Sequence, residues 1–158
     1  MFRGMRRFKQ AVSEEECKKV LTEAKRAAFS VIGDNGYPYS IPINFYYDEK
    51  DNRIYFHGAK EGHKVDAIRK CDKVCFTTWN TGYREEGHWE WNVTSVIIFG
   101  RAKMIEDRYI KMDKLRRLAL KYFPTPEEAE EDLVRGIDRA QLFAIDIEHM
   151  TGKLVNEK

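Results

Sequence analysis

Two prolines four residues apart, Pro38 and Pro42, sit inside a run that otherwise reads as a single strand: Tyr37-Pro38-Tyr39-Ser40-Ile41-Pro42-Ile43-Asn44-Phe45-Tyr46-Tyr47. Proline has no N–H to give to a β-ladder, so a strand carrying two belongs at a sheet edge or passes through a bulge. Backbone freed from the ladder in this way is open to a ligand. The preceding strand, Phe29-Ser30-Val31-Ile32, enters Gly33-Asp34-Asn35-Gly36, and Asn-Gly supplies the positive φ angles of a tight hairpin. Asn44 is the one amide in an apolar and aromatic stretch. If buried it needs partners, either neighbouring backbone or a bound group.

The strand that follows, Arg53-Ile54-Tyr55-Phe56-His57, delivers Gly58-Ala59-Lys60-Glu61-Gly62-His63-Lys64 to a short helix that buries Val65 and Ile68. A strand, a small glycine-bearing loop and a helix start bring together free N–H groups, the positive end of a helix dipole and ammonium groups. Such a corner suits a phosphate, with His57 standing one loop away from whatever the phosphate carries. The plainer alternative is that Gly58 and Gly62 only turn the chain and that the lysines and histidines are solvated.

Elsewhere the periodicities are ordinary. Ser13-Glu14-Glu15-Glu16 is a capping box, and Cys17, Val20, Leu21, Ala24, Ala27 and Ala28 recur at helical spacing, which predicts a helix over 14–26. Strands follow at 73–79 and 95–104, with Gly100 marking a bend or bulge. Helices fall within 107–135, the first with Tyr109, Met112, Leu115, Leu118, Ala119 and Tyr122 near one face, and Phe143, Ile145 and Ile147 alternate with polar neighbours in a closing strand at 141–148. Six strands, mostly joined by hairpins, predict a mainly β (α+β) fold: a small six-stranded antiparallel barrel with peripheral helices, its body over 28–105, in a single domain spanning 1–158.

Composition excludes several classes. A net charge of +2 with acids and bases interleaved gives no footprint for nucleic acid. No apolar run approaches the length of a membrane span, and the basic N-terminus is followed by polar residues, so a cytoplasmic location is expected. The odd count of three cysteines fits free thiols. Neither Cys71 and Cys75 with the nearby histidines nor Glu86, His88 and Glu90 make a full ligand set, so no metal is expected. Aromatic residues are 13% of the chain, more than one small core buries, which points to a dimer, a planar ligand or both. Trp89 and Trp91 flank Glu90 in the irregular stretch 80–92 and, if extended, share a face that can stack on a flat ligand or seal an interface.

The runs 36–45, 54–59 with Gly62-His63-Lys64, 72–76, and Ser95-Val96-Ile97-Ile98-Phe99-Gly100-Arg101-Ala102, in that order, resemble the 5-nitroimidazole resistance (Nim) proteins of the pyridoxamine 5′-phosphate oxidase-like split-barrel flavoproteins. The resemblance implies a homodimer of six-stranded antiparallel split β-barrels with one FMN in each of two clefts at the subunit interface. It implies that His63 and Lys64 bind the phosphate, that Pro42, Ile43 and Asn44 line the isoalloxazine edge, that His57, Gly58 and Ala59 pass beside the flavin and ribityl chain with Ser95 close by, and that His57 is the catalytic histidine. The stretch 83–91 departs from the family pattern, and Trp89 and Trp91 are expected on the substrate side. The function so implied is an FMN-dependent oxidoreductase acting on a small, nitroaromatic-like acceptor. The alternatives are a non-catalytic FMN carrier or redox sensor, a relative using haem, and a pyridoxamine 5′-phosphate oxidase, for which the arginines that a second phosphate calls for are missing.

Overall fold

The computed structural model describes residues 1–156. Its strands are β1 (Ala27–Ile32), β2 (Pro38–Ile43), β3 (Tyr46–Asp48), β4 (Arg53–Gly58), β5 (Lys73–Trp79), β6 (Asn92–Ile105) and β7 (Gln141–Asn156). They form one sheet in the order β2-β1-β5-β6-β7-β4-β3, antiparallel throughout. The helices are α1 (Glu14–Glu23), α2 (His63–Lys70), α3 (Arg108–Tyr122) and α4 (Pro126–Gly136). None of them is long and apolar enough to cross a membrane.

The expected count of six strands becomes seven because the proline-bearing run is two strands. β2 pairs with β1 at one edge of the sheet, and β3 pairs with β4 at the other. Only Asn44 and Phe45 separate them, so the sheet curls until both margins meet in one piece of chain. The break is chemically supported. Tyr122 Oη accepts from Phe45 N–H at 2.9 Å and turns its own proton toward the carbonyls of Phe45 and Lys25, each at 2.9 Å. Lys121 Nζ donates to the same Phe45 carbonyl at 3.1 Å. The end of α3 thus satisfies the backbone groups that the ladder leaves behind.

β2 lies at the edge, as its prolines require, and the hairpin before it turns through Asn35 (φ 59°) and Gly36 (φ 76°). The capping box at Ser13 and Glu16 is formed in both directions. α1 ends earlier than its spacing predicts: the chain is already extended at Ala24, and Ala27 and Ala28 pair in β1 with Thr78 and Thr77. The expected bulge is present at Phe99 and Gly100, where a side chain on Gly100 would collide with the Asp146 carbonyl.

β7 corrects a simpler expectation. Leu142 and Ala144 are buried as fully as Phe143 and Ile145, so the alternation over 141–148 is lost. The cause is that both faces are covered. Phe143 and Ile145 join Phe29, Phe56, Phe76 and Ile98 inside the curled sheet, while Leu142 and Ala144 pack outward on Leu115, Leu118, Leu133 and Ile137 of the α3–α4 hairpin. Tyr109, expected on the apolar stripe of α3, stands 86% exposed at the first turn, before the helix reaches the sheet. Lys114 on the same helix reaches between Asp48 and Asp51, 2.8 Å from each carboxylate, and fastens α3 to the β3–β4 turn.

Candidate functional site

β4 buries Ile54, Tyr55 and Phe56, then surfaces, leaving His57 exposed at the strand end and Gly58 half-buried. The loop over 59–62 leads into α2, whose N-cap Gly62 offers no side chain to its first N–H groups. Lys64 folds back across this corner. Any side chain at Gly58 would collide with the Lys64 ammonium, so the bare backbone there is what admits the cation. Nζ lies 5.4 Å from the centre of the Phe143 ring and 5.9 Å from that of Phe56. Loss of water among these groups lowers its pKa from the ordinary lysine value. Among the described residues no carboxylate pairs with it; the nearest ion pairs of α2 belong to His63, Arg69 and Lys70. A desolvated cation without a counter-charge is costly unless an anion completes it.

His63 begins α2 and is held by the β1–β2 hairpin. Its ring stacks on Tyr39 at 4.1 Å, and Nε2 accepts from the Asp34 N–H at 3.4 Å with the Asp34 carboxylate at 3.8 Å. The hairpin and the helix start therefore meet at the phosphate corner.

On the other side of His57 a cleft of about 130 Å³ opens between β4, the Asn44 break and the α3–α4 hairpin. Leu115, Leu118, Leu133 and Ile137 form its walls, and His57, Asn44 and Asp132 supply its polar groups. Asn44 is exposed here, so the sequence-based thought of a buried amide does not hold; its side chain leaves the core because β2 ends at Ile43 and the chain turns outward. His57 is open to solvent in area but crowded by the protein around the cleft. That crowding lowers its pKa from the ordinary 6.5, with Asp132 opposing and Lys64 adding to the shift.

The structure thus brings Asn44, His57, Gly58 and Lys64 around one corner, with His63 beside it. Pro42, Ile43 and Ala59 flank it in the chain: Pro42 and Ala59 are exposed and Ile43 is nearly buried. Ser95, Trp89 and Trp91 are elsewhere. His57 pairs with Leu142, which pairs with Ile105 at one end of β6, whereas Ser95 pairs with Trp79 and Lys153 ten residues back along the same strand. That is roughly 33 Å of strand. Trp89 and Trp91 precede the far end of β6; Trp89 is 69% exposed, and Trp91 donates its indole N–H to the Thr81 carbonyl at 3.1 Å. Within one chain these three residues do not face His57.

Sequence reading missed the α3–α4 wall and the grip of Lys121 and Tyr122 on Phe45. Leu133 of α4 and Ile137, which caps its end, stand four apart, a spacing that marks an apolar face. Nothing local, however, aims Asp132 at His57.

The profile of the family described as pyridoxamine 5′-phosphate oxidase matches residues 13–154, and the chain belongs to that family. Among solved structures, one of a candidate 5-nitroimidazole antibiotic resistance protein from Bacteroides thetaiotaomicron is similar, with 19% identity, a TM-score of 0.77, and coverage of 92% of this chain and 87% of that one. The flavocytochrome Anf3 from Azotobacter vinelandii gives 25% identity and a TM-score of 0.76 over 96% and 72%. An FAD and heme binding protein from Mycobacterium smegmatis gives 18% and 0.73 over 92% and 73%. No curated protein matches the sequence significantly.

Proposed function

We propose that the protein is a flavoprotein oxidoreductase that binds FMN with its phosphate at the β4–α2 corner and reduces a small acceptor. The observation that carries this reading is Lys64, a half-buried ammonium over Gly58 at an uncapped helix start, with no carboxylate partner among the described residues. The corner offers one such cation and one helix start. That matches a single phosphate ester and favours FMN over a dinucleotide. The flavin named in two of the similar structures supports the same chemistry.

A bound flavin would supply the electron transfer. The chain would supply the rest. Lys64 and the first N–H groups of α2 hold the phosphate, with His63 fixed beside it by Tyr39 and Asp34. The backbone of Pro42, Ile43 and Ala59 and the amide of Asn44 border the ring system. His57, its pKa below the ordinary value, is a neutral imidazole near pH 7, able to orient an acceptor by donating one hydrogen bond. Nitroaromatic compounds belong to the class of acceptor this arrangement suits.

The unit in this reading is a homodimer. Trp79, Ile97 and Phe99 stand 52%, 38% and 43% exposed on the outer face of β5 and β6, an apolar surface that a second copy would cover. Ser95, Trp89 and Trp91, remote from His57 within one chain, would reach a flavin site only from that second copy.

The test is a titration of purified protein with FMN, followed by flavin fluorescence, and anaerobic reoxidation of the reduced complex by a nitroaromatic. Saturable binding is expected; a folded protein that leaves FMN free in solution would end this reading. His57→Ala should keep FMN bound and slow the acceptor step, so unchanged turnover removes the histidine from its role.

A further inference from the structure

The geometry points to the cleft between α3, α4 and the Asn44 break as the binding pocket for the acceptor, and to an acceptor of a definite kind: one uncharged ring-sized body with a hydrogen-bond-accepting end. Size comes first. The cleft holds about 130 Å³, close to the roughly 150 Å³ of an enclosed apolar cavity that takes up a benzene ring. Because the cleft is open to solvent, it seats one ring and lets a small substituent project outward.

Wall chemistry comes next. Leu115 and Leu118 come from α3, Leu133 from α4 and Ile137 from its C-cap, and together they present aliphatic surface to a flat guest. The polar side chains of the lining are few. His57 and Asn44 can each donate a hydrogen bond there, an imidazole N–H and a carboxamide N–H, which suits a nitro, carbonyl or quinone oxygen.

Charge decides the remainder. Lys64 stands behind His57, but in the reading on which this inference rests its ammonium is engaged by the cofactor phosphate. The formal charge left on the cleft is that of Asp132, whose one ion pair among the described residues is a loose contact with Arg135 at 4.0 Å. A carboxylate so loosely paired in the lining repels an anionic guest and tolerates a neutral one. Asp132 is therefore a specificity-determining residue, and the tryptophans expected on the substrate side are not the walls that measure the guest's size.

Gly136 provides a clean probe. It lines the cleft at the last turn of α4, and a side chain added there meets no atom within 4 Å. Gly136→Leu adds aliphatic bulk at the cleft lining without displacing the fold. The experiment compares 4-nitrobenzyl alcohol with 4-nitrobenzoate, nearly equal in shape and different in charge, binding to the FMN-mixed protein by ligand-observed NMR. The alcohol is expected to bind about 10-fold or more tighter than the benzoate, a ratio that Asp132→Asn should reduce to about 3-fold or less by removing the repelling charge. Gly136→Leu should weaken binding of the alcohol by about 10-fold or more and leave the FMN titration as in the parent protein. Undiminished alcohol binding in Gly136→Leu, or equal affinity of the parent protein for the two probes, would overturn the pocket assignment. The FMN titration is read separately. If FMN stays free while the alcohol binds and Gly136→Leu weakens it, the cofactor reading fails and the pocket stands.

Discussion

Lys64 and Lys114 are both largely enclosed lysines whose ammonium groups stand over aromatic rings, yet their surroundings are opposite. Lys114 has Asp48 and Asp51 at 2.8 Å, with Tyr55 beneath it at 5.1 Å. Burial alone would lower its pKa; the hydrogen bonds to the two carboxylates outweigh that and the net shift is upward. Lys64 has rings, a bare glycine and no acid, and its pKa moves down. The first cation is complete within the chain and ties α3 to the sheet. The second is left wanting a partner, which is how a binding group differs from a structural one in the same fold. Lys121 is an intermediate case: burial first and the neighbouring Lys25 second push it down to about 8, and its proton goes to the Phe45 carbonyl.

The largest separation of the two sites is expected in stability. Lys114→Met leaves Asp48, only 6% exposed, without its partner, and a broken buried pair costs about 3–5 kcal/mol. Lys64→Met should change the urea midpoint little, because a desolvated charge is removed with no acid left behind. Equal losses would erase the distinction. Next in size, Lys64→Met should weaken FMN by about 10- to 100-fold, the worth of a charge-assisted hydrogen bond of about 1.5–3 kcal/mol, with Lys114→Met near the parent value if it folds.

Smaller effects should appear against pH. Asp48 has its pKa lowered from 3.8: burial acts upward, and the Lys114 contacts overcome it. Its contribution to stability is complete above the unfolded value and drains away as pH falls through the lowered one, so acid unfolding below about pH 4 should be steeper than in Lys114→Met. Lys121 has the reverse sign. The unfolded chain holds its proton up to about 10.5 and the folded one to about 8, so stability should rise between those values and flatten in Lys121→Met. A downward slope there would show that Lys121 is not desolvated.

How far the sequence reached follows from how local each feature is. The Asn35 turn, the capping box at Ser13 and the edge position of Pro38 and Pro42 depend on a few neighbouring residues, and all are found as expected. So is the strand–loop–helix corner, because the change from the buried Phe56 to Gly58 and Lys64 is written in consecutive residues. The break at Asn44 was hidden: its cause is Tyr122, 77 positions away. The double-sided burial of Leu142 and Ala144 was hidden for the same reason, since it needs α3 and α4 in place. Trp89 and Trp91 read as partners of the site from composition and resemblance, but pairing along β6 and β7 carries them to the far end of the same chain.

The two-residue seam at Asn44 and Phe45 ties the fate of both sheet margins together. Fraying that starts at β2 tugs on β3, and a guest seated against Asn44 acts as a rivet through the overlap. Amide protons in β1 and in β4, on opposite flanks, should therefore slow their exchange in step when the cleft is filled.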